Sequence, residues 1–144
     1  DDTSYPYLKE LILEHTSGRL KVAPEQTEDS VLKLMAKPSF RLFERLRVEF
    51  DNIVRSSGRK CELVPYFISG HPGCGMREMQ RLARNPALKG LYMDQVQDFT
   101  PTPMTTSSVM FYTGLDPKNL DKVFVERDLD RKKEQKSFFF RRGK

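Results

Sequence analysis

The run Cys61-Glu62-Leu63-Val64-Pro65-Tyr66-Phe67-Ile68-Ser69 is mostly apolar at successive positions and ends in Gly70-His71-Pro72-Gly73-Cys74-Gly75. A strand loses the usual apolar/polar alternation when helices cover both faces of a parallel sheet or the outside of a barrel. After the turn, Met76, Met79, Leu82 and Ala83 recur at helical spacing until Asn85-Pro86 stops the pattern. A buried strand that breaks into a backbone-exposing turn before a helix is how an α/β protein builds a ligand site.

The arrangement recurs twice, at Leu20-Lys21-Val22-Ala23-Pro24-Glu25-Gln26-Thr27 and at Asp94-Gln95-Val96-Gln97-Asp98-Phe99-Thr100-Pro101-Thr102-Pro103. Three strands therefore bring polar groups to one end. Leu8, Leu11, Ile12 and His15 predict a helix over 4–16, stopped by Gly18 and followed by a strand over 19–23. Thr27 is expected to cap a second helix carrying Val31, Leu32, Leu34 and Met35, with Glu28 and Asp29 in its first turn and Lys37-Pro38 at its close. Ser39 caps a longer helix with Phe40, Phe43, Leu46, Phe50, Ile53 and Val54 on its buried stripe, ending at Ser56-Ser57-Gly58. The third strand is expected over 91–99. Beyond Pro103, residues 108–112 and 122–125 read as short strands or irregular chain, and 128–140 as a charged helix.

Alternating elements with long crossovers imply parallel strands joined by right-handed βαβ connections. The expected class is α/β: a partial TIM-like (β/α) barrel of three parallel strands with covering helices, plus an irregular basic C-terminal tail. Three strands do not close a barrel, which takes about eight.

A chain of 144 residues has the length of one domain, with 38% hydrophobic residues to bury. No apolar stretch approaches the roughly 20 residues of a membrane span, and no basic-then-apolar leader follows Asp1-Asp2-Thr3-Ser4, so a cytoplasmic location is expected. Two cysteines make no disulfide framework and fit a reducing compartment as free thiols. Residues 122–144 hold nine Lys or Arg against four Asp or Glu, whereas residues 1–121 hold sixteen of each sign, so the net charge of +5 belongs to the tail. Nucleic acid is thus a possible partner of the tail alone, and not the favoured one.

Glu25-Gln26-Thr27-Glu28-Asp29-Ser30-Val31-Leu32-Lys33-Leu34-Met35-Ala36-Lys37 resembles the fourth-strand segment of radical S-adenosylmethionine (SAM) enzymes. Phe67-Ile68-Ser69-Gly70-His71-Pro72-Gly73 looks like their fifth-strand motif, and Phe99-Thr100-Pro101-Thr102-Pro103-Met104-Thr105 like their sixth. With Tyr112-Thr113-Gly114-Leu115-Asp116-Pro117 added, the best match is the YgiQ-type radical SAM family, over roughly residues 8–126. The resemblance implies that residues 1–106 are the C-terminal half of a partial (β/α)6 barrel and 107–144 an extension. It also implies SAM as cofactor and, in the full-length parent only, a 4Fe-4S cluster held by a C-x3-C-x2-C triplet. This chain has no such triplet, since Cys61 and Cys74 have twelve residues between them and stand on the wrong segment. The implied partners are the missing N-terminal half of the barrel and an unknown substrate, with no membrane; the piece alone is expected to self-associate.

The same resemblance places Glu25 against the SAM ribose, as an acceptor from two hydroxyls, and Lys37 against the methionine carboxylate. Plain helix capping by Glu25 and a helix-end cation at Lys37 are the competing readings. Ser69, Gly70, His71, Pro72 and Gly73 form the turn that adenosine approaches, which is equally a tight strand-to-helix turn. His71 can bond a ligand, move a proton, or be a satisfied structural histidine. Tyr66 stands where many relatives carry an acid, so no acidic contact is carried over there. Gln95 and Gln97 share one face of their strand, for adenine edges or for polar lining. Cys74, at a helix start, is expected to have a lowered thiol pKa, and zinc on Cys61, Cys74 and His71 lacks a fourth ligand. The tail Arg131–Arg142 mixes bases with aromatics, as RNA-binding segments do and as docked amphipathic helices do more often.

Overall fold

A computed structural model describes residues 4–93 and 95–140; Asp94, at the head of the third strand motif, and the tail bases Arg141 and Arg142 lie outside the described residues. The order is α1 (Ser4–Glu14), β1 (Arg19–Glu25), α2 (Asp29–Leu34), α3 (Arg41–Ser57), β2 (Glu62–Ser69), α4 (Met76–Arg84), β3 (Gln95–Asp98), α5 (Thr106–Thr113) and α6 (Leu129–Phe140). The strands form one parallel sheet in the order β1-β2-β3. The expected α/β class with three parallel strands and covering helices is what the chain adopts.

Alternation and register together divide the sheet into two unlike faces. Leu20, Val22, Leu63, Phe67 and Val96 share one face, and all of them pack into the single core formed with Leu8, Ile12, Phe50, Ile53, Met79, Leu82 and Phe139 of the helices. The other face presents Lys21 and Ala23 from β1, Val64, Tyr66 and Ile68 from β2, and Gln95 and Gln97 from β3. None of these side chains joins that cluster, although Val64 is buried on its own face; Lys21 lies over the Tyr66 ring at 5.8 Å. Helices α1, α2, α3, α4 and α6 therefore bury their apolar residues on one side of the sheet, where right-handed crossovers put the connecting helices.

α3 is the most strongly specified helix: Phe43, Phe50 and Ile53 are buried, and Gly58 ends it in the left-handed conformation at φ 65. In β1 the pairing slips between Val22 and Glu25, where Val22 faces Pro65 and Pro24 follows. Neither proline has an N–H to donate, so the ladder is broken there anyway and a bulge costs little more.

Several local expectations give way to packing and caps. Residues 106–113 are helix α5, not strand, because Thr105 caps them by accepting from the Ser108 N–H at 3.2 Å and Gly114 closes them at φ 71. The tail is not irregular over 129–140: the charged helix expected over 128–140 is there as α6, packed on α4 and touching β2 and β3. Its Phe139 is buried with its ring 5.6 Å from Phe67. Residues 122–125 are irregular save for one antiparallel bridge, Leu115 to Lys122. The third strand covers only 95–98. The second helix starts after Glu28, and the Thr27 hydroxyl is buried without a partner rather than capping it. No helix of the described residues is long and apolar enough to cross a membrane.

Candidate functional site

Parallel strands end on the same side, so the tips of β1, β2 and β3 lie together: Glu25 is opposite Phe67, and Ser69 is opposite Asp98. At the β1 tip, Glu25 takes φ 66, unusual for a residue with a Cβ, and its carboxylate pairs with Lys37 Nζ at 3.3 Å. Two residues picked from sequence for one ligand are thus brought into contact with each other. The carboxylate is the more buried partner, with 15% of the side chain exposed against 47% for Lys37.

The β2 tip is built inward. Ser69 and His71 are 1% and 3% exposed, and Gly70 and Pro72 are buried. His71 Nδ1 lies 2.8 Å from the Pro72 carbonyl, and Nε2 lies 2.8 Å from Ser107 Oγ on α5. A carbonyl can only accept, so Nδ1 carries the proton and Nε2 accepts from the serine hydroxyl. The ring also stands edge-on to Phe99 at 4.9 Å. Burial holds the imidazole pKa below its ordinary value, so this histidine is neutral. It is internally satisfied at both nitrogens.

Gly70 has φ 68, and a Cβ there would come within 3.6 Å of Lys132 Cε. The side that a glycine leaves clear is thus covered by the stem of a lysine from α6. The ammonium of Lys132 sits 4.8 Å from the centre of the Phe111 ring. Next to it, Lys136 pairs with Asp98 at 3.3 Å, and Asp98 accepts from Ser69 Oγ at 2.7 Å. Gly73 adopts φ 83 and receives the connector before α6, donating its N–H to the Phe124 carbonyl at 2.7 Å. The side chains of Gln95 and Gln97 lie on the sheet face opposite the core, while the Gln97 carbonyl accepts from Ser69 Oγ at 3.5 Å.

Cys74 departs from its expectation. The thiol is fully buried and accepts from Gln26 Nε2 at 3.4 Å, and burial pushes its pKa up to about 12. The helix start does not compensate for lost water. Among the described residues, no three His, Cys, Asp or Glu side chains converge as a metal would require. Sequence reasoning missed Gln26 and Ser107. Gln26 carries only the signal of a polar residue at a strand end, whereas the run Thr105-Thr106-Ser107-Ser108 is a recognisable cap.

Residues 94–142 match a family described as Domain of unknown function (DUF3362). A UPF0313 protein of Bacteroides thetaiotaomicron is 48% identical over 134 residues, 93% of this chain and 22% of that protein. One of Porphyromonas gingivalis is 46% identical over 134 residues, covering 93% and 21%. One of Methanosarcina acetivorans is 42% identical over 137 residues, covering 95% and 18%. No solved structure matches the chain. The chain spans about a fifth of the length of these curated relatives, and over nearly all of its own length it is similar to UPF0313 proteins.

Proposed function

We propose that the chain is the SAM-binding C-terminal portion of a radical SAM iron–sulfur enzyme, akin to the YgiQ-type family. The observation that carries this reading is the two-faced parallel sheet: a helix-packed core on one side, an opposite side bearing Lys21, Tyr66, Gln95 and Gln97 around a buried Val64, and polar strand tips at one end. That arrangement supports a segment of (β/α) barrel, whose interior would be the side away from the core and whose site would be the carboxyl rim.

The residues fit a nucleoside in part. Glu25 can accept from ribose hydroxyls, Lys37 can meet a carboxylate, and the amides of Gln95 and Gln97 can meet a base edge from inside. They do not fit an iron–sulfur cluster: Cys74 is sealed in the core as a neutral thiol, and Cys61 lies on the other side of β2 from its tip. No step is therefore assigned to cluster ligands here. Bound SAM would supply, on reductive cleavage, the means to abstract hydrogen from a substrate, and this chain's share is to orient the nucleoside and exclude water.

The test is equilibrium binding of SAM to the full protein that carries this chain. Replacing Glu25 by Ala should weaken binding about tenfold, from loss of a charge-assisted bond, while Glu25→Gln should recover part of it. SAM affinity indifferent to both substitutions would sink the assignment.

A further inference from the structure

We infer that α6 is a strap that gates the Gly70 turn, so that docking of its first half and binding of a ligand against Gly70 exclude each other. The inference deepens the SAM-site reading and rests on it for the identity of the ligand. Its structural part stands on three observations of its own.

The first is position. The stem of Lys132 lies on the open side of Gly70, and Lys136 is tied to Asp98, which in turn holds Ser69. No ligand can reach that glycine from its Cβ side until the lysine leaves.

The second is how weakly this half of the helix is held. Of α6, only Gln135 and Phe139 are buried. Phe139, at the C-terminal end, sits against Phe67. The preceding two turns have no buried apolar side chain; Leu129 is 71% exposed, and the Lys136–Asp98 pair is open to solvent. Exposed ion pairs contribute little, and the Lys132 ammonium over the Phe111 ring at 4.8 Å adds a contact of similarly modest size.

The third is a cost. Gln135 is fully buried, and both its amide oxygen and its amide nitrogen lack hydrogen-bond partners. Burying an amide in this way opposes docking, and lifting the first half of α6 returns it to water. Phe139 stays behind as the hinge anchor, while the Gly73–Phe124 backbone bond fixes the connector at the other end. The helix is therefore pinned at both flanks and destabilised in the middle, as a gate requires. A ligand that needs Gly70 clear draws on the open population, and its apparent affinity falls by that fraction.

Hydrogen exchange on the full protein, with SAM titration alongside, tests both halves of the idea. Amides of 129–136 should exchange far faster than those of 62–69. Gln135→Leu, which removes the stranded amide, should slow them about tenfold and weaken SAM binding by a similar factor; Lys132→Ala should strengthen binding. Exchange at 129–136 as slow as at 62–69, or faster exchange in Gln135→Leu, overturns the strap, the latter because the amide was satisfied after all. Slowed exchange with unchanged SAM affinity overturns the gating while leaving the ligand site standing. No SAM binding in any variant overturns the site and the gating together, with the exchange data alone still deciding the strap.

Discussion

His71 shows how a residue chosen for chemistry can be committed to architecture. Its two ring nitrogens are used by Pro72 and Ser107, and burial lowers its pKa from 6.5. The unfolded chain therefore takes up a proton in a window where the folded chain does not, so stability rises with pH across that window. The contribution is complete above about pH 6.5 and is lost as pH falls from there toward the depressed folded value. Urea midpoints should drop below that pH in the wild type, and the drop should shrink in His71→Gln; equal slopes in both would remove His71 as the cause. The sequence alone left this histidine between ligand contact and structural service, because nothing near it in the chain reveals a serine 36 positions on. Glu25 and Lys37 each stand out in the sequence as a separate ligand contact, and their ion pair across the one short helix that links them is visible only in the structure.

At the scale of elements, the turn after β2 is where the backbone is most constrained. Gly73 holds φ 83, and a Cβ there would collide with the Leu34 side chain of α2. Gly73→Ala should therefore cost about 2–4 kcal/mol, strain and overpacking together, measured as a loss in thermal or urea stability; a cost near that of the left-handed backbone alone would show that Leu34 swings aside. β2 and α3 could be read directly, since a continuous apolar run and a clean stripe each admit one solution. α5 could not, because Val109, Met110, Phe111 and Tyr112 favour strands by type. Its caps, Thr105 and Gly114, decide the matter instead. β3 was read as longer than it is, since hydrophobicity at Leu91 and Met93 serves the core and not the ladder.

The whole molecule ends abruptly at β1, whose outer edge pairs with no strand among the described residues. Beside that edge runs a groove of about 630 Å³, lined by Leu11, Leu20, Val22, Phe40, Phe43 and Leu46. Leu42, also on its rim, is 57% exposed. Open edges and apolar grooves drive association. The 144-residue chain on its own should accordingly gain mass with concentration in sedimentation, and Leu42→Glu should shift it toward monomer without altering its circular dichroism. A monomer at all concentrations would show that this flank is self-sufficient. The two-sided sheet also carries an implication for variation. Gln97 and Asp98 are neighbours along the chain, yet one is on the sheet face away from the core and the other pairs with α6. On the reading proposed above, adjacent codons would therefore tolerate change on different grounds, the first by what the protein meets and the second by whether it holds its shape.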